Sequence, residues 1–202
     1  MLATRLQLSS LDHGRELTLS EYEEAEYAPG FHYEIIEGRL YVSPEANFPE
    51  QLLEMWLRDK LIFYKALHPN IVGTVATKGR VFVSERKKAT VPEPDLAVYG
   101  PIDLETTDWH EIHWQDLMPF IVCEVLVEGD FEKDLTRNPA LYRQVRSIRE
   151  YWVLNGSQSV MEPTLIVHTR RGKSWAVAHY PYNSIYTTKI LPGFELLIDP
   201  RK

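Results

Sequence analysis

The chain of 202 residues contains a single cysteine and no long apolar run. Cys123 alone cannot form an intramolecular disulfide, which fits a reducing compartment, and its place in an apolar segment is that of a small core residue. The N-terminus lacks an apolar segment of signal-peptide length, and no stretch is apolar over the roughly eighteen residues that a membrane helix needs. We therefore predict a cytoplasmic protein with no membrane partner.

The chain also lacks an excess of positive charge, since the formal net charge is −7 and the isoelectric point is near 5.5. This composition argues against generic coating of nucleic acid, which depends on neutralising phosphates with Lys and Arg. Two basic segments remain, at 84–88 and at 170–173. Solvated turns are the simpler interpretation of both, and phosphate contacts by Arg170, Arg171 and Lys173 are the alternative.

Several motifs that would identify a reaction are missing. The sequence has no glycine-rich phosphate loop and suggests no Ser-His-Asp arrangement. His110 and His113 lack further ligands at a recognised zinc spacing.

The length suits one domain, without internal repeats. We predict a poorly ordered arm at 1–17 and a single domain at 18–202, and leave the oligomeric state open, with a homodimer as one alternative. Ser20 and Glu23 have the spacing of a capping box for a short helix at about 20–28. Glu37-Gly38 is suited to the turn of a hairpin.

The remaining pattern indicates a mixed sheet flanked by helices, with hairpins at both ends, in the α/β (α+β) class. The longest helix is predicted within 48–68, and another helical segment is predicted to extend to about 147. Residues 101–118 are predicted to form a polar, Trp-containing insertion without clear periodicity. The strands are predicted at 32–36, 39–43, 71–77, 80–84, 95–99, 120–127 and 150–155, with a hairpin across 170–173 and two more strands before the C-terminus.

Glu124 lies inside the apolar segment 120–127, which has the composition of a buried strand. An unpaired ionised carboxylate there would cost several kcal/mol, so Glu124 needs a cation, a metal or hydrogen-bond donors, or must stay protonated. The alternative is a solvated position at the end of the strand. Asp95 follows Pro94 at the start of another strand, so the two acids could head neighbouring strands and share a magnesium or manganese ion.

Proline, Asp and then an apolar strand carrying Glu resemble the core of the PD-(D/E)XK nuclease superfamily. The chain more specifically resembles the Uma-two family of restriction endonuclease-like proteins. The resemblance covers about 20–198 and is carried, in order, by YEIIEGRLYVSP at 33–44, PEPDLAVY at 92–99, CEVL at 123–126, EKDL and LY within 132–142, SIREYWVLNG at 147–156 and ILPGFELLID at 190–199.

This resemblance implies a restriction endonuclease-like fold and metal-dependent cleavage of a phosphodiester in DNA, with Mg²⁺ or Mn²⁺ as cofactor. Asp95 and Glu124 match the metal-binding acids of the family, and Glu34 matches a glutamate on the first hairpin that could complete the metal site. The surface preference of Glu alone would instead make Glu34 an exposed strand residue.

The lysine of the pattern is missing at both of its expected places. Leu126 lies two residues after Glu124, and Asn138 lies where family members carry a lysine on the following helix, four residues after Asp134. Asn138 is also explained as an N-cap followed by Pro139 at the first helical position.

Lys133 or Arg137 could supply the missing charge if the segment is helical there, although Pro139 argues against a continuous helix. The sequence thus leaves three functions open. They are a metal-dependent DNA endonuclease, an inactive nucleic-acid-binding or interaction module that retains the fold, and a metal-dependent hydrolase with another substrate.

Overall fold

The computed structural model describes residues 5–103, 108–129 and 131–202. The predicted insertion at 101–118 lies partly outside these residues, and its described part contains two 3-10 turns, Trp109–Glu111 and Trp114–Asp116. None of the helices described is long and apolar enough to cross a bilayer.

The N-terminal segment packs on the domain, so the expectation of a poorly ordered arm is wrong for residues 5–17. Strand β1 (Gln7–Leu8) pairs in parallel with β2 (Glu26–Tyr27), with helix α1 (Leu19–Glu24) between them. Leu8 and Leu17 are buried. Their burial in a small apolar cluster with the first hairpin stabilises the segment.

The N-cap of helix α1 lies two residues before the one that the sequence predicts, and the helix ends at Glu24 rather than near residue 28. Thr18 is the N-cap: its side chain accepts the Glu21 N–H at 3.2 Å, and the Glu21 carboxylate accepts the Thr18 N–H at 2.8 Å. Ser20 and Glu23 have the same three-residue spacing, so spacing alone could not separate the two candidates. The observed register buries Tyr22, which decides between them.

The first hairpin and the long helix confirm the prediction. Strands β3 (Phe31–Ile36) and β4 (Arg39–Pro44) pair antiparallel around Glu37-Gly38, whose φ angles are 51° and 74°. Helix α2 (Phe48–Leu67) begins at an Asn47 N-cap, and its apolar face, including Leu53, Leu57 and Leu61, is buried.

A six-stranded sheet forms the centre of the domain, in the order β10-β9-β8-β7-β6-β5. Only β7 and β8 are parallel, so the sheet is mixed as predicted. The strands are β5 (Thr74–Thr77), β6 (Leu96–Tyr99), β7 (Pro119–Leu126), β8 (Glu150–Asn155), β9 (Thr164–Arg171) and β10 (Ser174–Tyr180).

Each face of the sheet has its own apolar core. Helix α2 and the C-terminal hairpin of β11 (Ile185–Thr187) and β12 (Glu195–Leu197) cover one face. The other face is covered by a helical segment that begins as a π-helix at Lys133–Arg137 and continues as α3 (Asn138–Tyr142). Because side chains alternate along a strand, Cys123 and Val125 face α2, whereas Val122 and Leu126 face α3.

Two further predicted elements differ from the structure. Residues 80–84 form a loop rather than a strand: the Val81 and Val83 N–H groups donate to Pro92 and Thr90, while their side chains fill the core. The sequence pattern predicted burial correctly but assigned it to the wrong element. The helical segment ends at Tyr142 instead of extending to about 147, because turns follow it.

Candidate active site

Lys78, Asp95 and Glu124 form a row across three neighbouring strands. Strand registers pair Thr77 with Leu96 and Leu96 with Cys123, so the next residues place Lys78 opposite Asp95 and Asp95 opposite Glu124. The row lies on the face that packs against α3, where the Lys78 ammonium group contacts the Asp95 carboxylate. The sheet register thus brings together the two acids that the sequence predicts, and adds a lysine.

Asp95 and Glu124 are almost completely buried, with 5% and 2% of their surfaces exposed. Asp95 Oδ2 accepts the Val125 N–H at 2.6 Å, and the Asp95 N–H is 3.4 Å from Glu124 Oε2. These bonds fix both carboxylates against the backbone of the adjacent strand. The alternative of a solvated Glu124 at a strand end is therefore wrong.

Glu124 receives two further hydrogen bonds from the helical segment. Its Oε1 atom accepts from the Asn138 amide at 2.9 Å and from the Tyr142 hydroxyl at 3.0 Å. The same amide donates to Asp134 Oδ1 at 2.8 Å, which places a third buried acid beside the row. Asn138 has helical dihedral angles and buries its side chain, so its interpretation as an N-cap is wrong.

The π-helix explains how Pro139 is accommodated within a helical segment. The Asn138 N–H donates to the Lys133 carbonyl, five residues earlier. Pro139 has no N–H, and the Asp134 carbonyl, five residues before it, instead accepts the Tyr151 hydroxyl at 2.7 Å. The wide turn directs Lys133, Asp134 and Asn138 towards the sheet.

Glu34 is buried rather than exposed, with 5% of its surface accessible, and it pairs with the two predicted cations. Its carboxylate accepts hydrogen bonds from the Arg137 guanidinium group at 3.1 Å and from the Glu93 N–H at 3.0 Å. The carboxylate also lies 3.4 Å from Lys133 Nζ. Burial would raise the pKa of Glu34, but Lys133 and Arg137 outweigh it and hold that pKa below its usual range. Glu34 is therefore ionised and holds both cations.

The acids around Glu124 repel one another. Burial, followed by the charges of Asp134 and Asp95, raises the pKa of Glu124 well above its usual range. Burial likewise raises the pKa of Asp134 to about 7, with Lys133 opposing it and Asp95 adding to it. Burial lowers the pKa of Lys78, but attraction to Asp95 and Glu124 gives a net increase. The site therefore attracts positive charge beyond its own cations.

These residues line an open cleft of about 690 Å³, which also contains His32 and Glu50. Within the described ranges, no three His, Cys, Asp or Glu side chains form a ready-made metal cage. Mg²⁺ commonly uses only one or two carboxylates and fills its other positions with water and phosphate. Asp95 and Glu124 lie next to each other in this cleft and fit such an ion.

The other candidate residues lie elsewhere. The Arg170 guanidinium donates to the carbonyls of Tyr142, Arg143, Val145 and Ile148, which closes the end of the helical segment. Arg171 and Lys173 are exposed in the β9–β10 turn, beyond the end of the sheet at which β7 and β8 begin. Glu124 lies nearer the opposite end, so the turn does not join the cleft.

Sequence reasoning missed Lys78 and did not assign Asp134 or Tyr142 to the site. Lys78 could have been found by pairing its strand antiparallel with 95–99, because that register sets it opposite Asp95. Asp134 served only as a reference for spacing, and Tyr142 has the pattern of a core residue. Leu126, at the first lysine position, is buried in the apolar core.

The chain is similar to known proteins over most of its length. The family model described as "Putative restriction endonuclease", Uma2, matches residues 19–199. A crystal structure from Anabaena variabilis ATCC 29413, described as a putative nuclease belonging to DUF820, has a TM-score of 0.66 and 13% sequence identity, and the match covers 92% of this chain and 96% of that one. No curated protein sequence matches.

The structural likeness shows a shared fold, since identity at this level carries no more than that. The family match is independent of the coordinates and extends from α1 to the segment after β12. It includes both acids of the row and the whole helical segment that contacts Glu124. The chain belongs to the Uma2 family.

Proposed function

We propose that the protein is a divalent-metal-dependent DNA endonuclease whose active site is the cleft around Asp95 and Glu124. The observation that carries this proposal is the buried excess of acid in an open cleft, with Glu124 and Asp134 both raised in pKa. Membership of a family described as restriction endonucleases, together with a fold neighbour described as a nuclease, supports a nucleic-acid substrate. Perturbed acids in a cleft are typical of catalytic sites.

Asp95 and Glu124 would hold the ion, since their carboxylates are adjacent and fixed by backbone bonds. When bound, Mg²⁺ or Mn²⁺ polarises the phosphate and lowers the pKa of a water nucleophile. Asn138 and Tyr142 orient Glu124 by donating to one of its oxygens, which leaves Oε2 directed towards Asp95. The family resemblance suggests Glu34 as a further metal ligand, but the ion pairs of Glu34 with Lys133 and Arg137 favour a different role.

Lys133 and Arg137 supply positive charge at the helical side of the cleft. Their side chains retain 32% and 25% exposure, so they can contact an entering phosphate. Glu34 contacts both side chains and fixes their orientation. Lys133 and Arg137 would therefore lose less conformational entropy when they bind a phosphate. In this scheme the buried Glu34 positions the cations, and the cations stabilise charge that develops on the phosphate.

The proposal is tested by incubating supercoiled plasmid with the purified protein and Mg²⁺, Mn²⁺ or EDTA. Wild type should nick the plasmid only with a divalent ion, and Asp95→Asn should lose roughly a thousandfold in rate. Asp59→Asn is the control, since it removes an exposed acid of α2. Far-ultraviolet circular dichroism checks folding. A wild type no faster than Asp95→Asn on supercoiled, linear and single-stranded DNA would contradict the proposal.

A further inference from the structure

Lys78 is the one residue of the cross-strand row that has no counterpart in the motif resemblance. We propose that its ammonium group is a tethered cation that occupies the Asp95 carboxylate until a divalent ion binds, and that it then turns to the phosphate in the cleft. This inference rests on the proposed function for its second half. Its first half concerns only the binding of a metal by this chain.

The backbone places Lys78 directly opposite Asp95. The Lys78 N–H donates to the Asp95 carbonyl at 3.2 Å, which continues the β5–β6 ladder by one residue. The ammonium group contacts Asp95 Oδ1, while Oδ2 is held by Val125. Of the two oxygens of Asp95, Lys78 thus occupies the one that the backbone does not use.

Lys78 adopts a conformation that a residue with a side chain rarely takes. Its φ is 52°, in the left-handed region that favours glycine. The next residue, Gly79, passes so close to Tyr99 that a Cβ would lie 2.8 Å from the hydroxyl. Contact with Tyr99 therefore restricts the backbone that follows β5. Lys78 places a long cationic side chain at a position where glycine would be less strained.

Lys78 is paired with Asp95 and is also accessible from the cleft. About 24% of its side chain is exposed, and it lines the same cleft as Glu34, Lys133 and Arg137. Only the terminal ammonium group depends on Asp95, since the stem of a lysine has several rotatable bonds. A short movement of that group would free one carboxylate oxygen and keep the charge inside the cleft.

With this exchange, Lys78 would supply the positive charge that the lysine motif lacks at Leu126 and Asn138. Leu126 is committed to the apolar core, and Asn138 bridges Glu124 and Asp134. Lys133 is held by Glu34 and reaches no closer than 4.0 Å to Asp134. Among the described residues, Lys78 is the lysine that forms an ion pair with Asp95. A divalent ion approaching Asp95 must therefore compete with it.

The test compares Lys78→Met with wild type in metal-free buffer. Mn²⁺ binding, measured by calorimetry, should tighten roughly tenfold or more in Lys78→Met, because an opposing charge next to Asp95 has been removed. Without metal the variant should melt at a lower temperature than wild type, and Mn²⁺ should raise its melting temperature by more than it raises that of wild type. Lys87→Met, which removes an exposed lysine of a loop, is the matched control and should match wild type in both measurements.

Plasmid cleavage then tests the second half. Lys78→Met should lose roughly a hundredfold in rate although it binds Mn²⁺ more tightly. A lysine with a merely structural role would not separate these two readouts. Lys78→Arg keeps the charge and serves as the variant that folds if Lys78→Met does not: it should bind Mn²⁺ about as weakly as wild type, while its planar group reduces cleavage.

The outcomes distinguish this inference from the proposed function. Unchanged Mn²⁺ affinity in a folded Lys78→Met protein overturns the tethered-cation proposal, whether or not wild type cleaves DNA. Tighter Mn²⁺ binding with no cleavage by wild type supports the counter-ion half and contradicts the endonuclease function. Full cleavage by Lys78→Met overturns the phosphate-contacting half and leaves the function intact.

Discussion

Glu124 and Glu150 are buried carboxylates in neighbouring parallel strands, yet their surroundings differ. Glu124 lies in β7 with 2% of its surface exposed, and Glu150 lies in β8 with 4% exposed. Glu124 faces α3 and an open cleft that it shares with Asp95, Asp134 and two lysines. Glu150 begins its strand at the opposite end of the sheet, under the C-terminal hairpin.

Neutral donors surround Glu150. Its Oε2 atom accepts the Trp152 indole N–H at 2.9 Å and the Tyr186 hydroxyl at 2.7 Å, and its Oε1 atom accepts the Thr188 hydroxyl at 2.8 Å. Tyr186 lies in β11 and Thr188 directly follows it, in the C-terminal hairpin that packs near α2. The carboxylate therefore joins the hairpin to the sheet, which is a structural role.

Burial of an acid therefore does not by itself identify an active site. A carboxylate with enough neutral donors stabilises the fold around it. A carboxylate next to other acids is destabilised as an anion and gains from a cation that arrives later. The charge of the neighbours therefore distinguishes the two acids, and this difference can be measured with one pair of substitutions.

The largest expected effect is on cleavage. Glu124→Gln should reduce metal-dependent nicking roughly a thousandfold, equivalent to about 4 kcal/mol in the barrier, because the amide keeps the bonds to Asn138 and Tyr142 but cannot hold an ion as a carboxylate does. Glu150→Gln should stay within about twofold of wild type below its melting temperature. Initial rates of plasmid nicking measure both. Equal losses in the two variants would remove the functional distinction between the two acids.

Stability should respond in the opposite order. Glu150→Gln replaces charge-assisted hydrogen bonds by weaker ones and should lower the free energy of unfolding by about 2 kcal/mol. Glu124→Gln removes repulsion from Asp134 and Asp95 and should leave the metal-free protein at least as stable as wild type at pH 8. Urea unfolding in EDTA gives both values. A larger loss for Glu124→Gln than for Glu150→Gln would show that the cleft acid also has mainly a structural role.

The stability of the folded protein should also depend on pH. Asp134 has a pKa raised from 3.8 to about 7 in the folded protein, so the folded state binds its proton more tightly than the unfolded state does. Its ionisation therefore costs stability as the pH rises from about 4 to about 7. Relative to wild type, Asp134→Asn should gain about 3 kcal/mol in free energy of unfolding between pH 5 and pH 8, since about two pH units of the shift lie in that range.

Comparison with the variant is needed because burial lowers the pKa of His32 and of His168. Those groups act in the opposite direction below about pH 6.5, and they contribute equally to wild type and variant. Glu34 has a lowered pKa and matters only at more acidic pH. A difference between wild type and Asp134→Asn that stays constant from pH 5 to pH 8 would contradict the raised pKa.

Local sequence patterns were sufficient to predict much of the fold and the two acids of the candidate site, Asp95 and Glu124. The hairpin at Glu37-Gly38, the long helix and the buried β7 strand each carry their own signal of turn chemistry or period. The motif order identified Asp95 and Glu124 because both lie in strands with a recognisable start or composition. Each of these signals lies within a few residues of the feature that it predicts.

The remaining errors concern contacts between distant segments. Asn138 before Pro139 fits an N-cap and also fits a π-helix, and only the bond to Glu124 on β7 decides between them. Lys78 follows a short edge strand, and its meaning depends on the register with β6. Val81 and Val83 alternate as in a strand, but their backbone partners lie in a loop. The structural roles of these residues therefore depend on tertiary contacts, which the local sequence does not contain.

The smallest expected effect concerns the basic turn at the Glu150 end of the sheet. Arg171→Ala and Lys173→Ala should each change the free energy of unfolding by less than about 0.5 kcal/mol, as is usual for exposed positions. Removing a side chain that binds a phosphate reduces the slope of log affinity against log salt by about one. Because the turn lies away from the cleft, we expect the slope for DNA to stay at its wild-type value in both variants. A shallower slope in fluorescence anisotropy titrations would extend the DNA-binding surface to this end and reduce the contrast between the two regions.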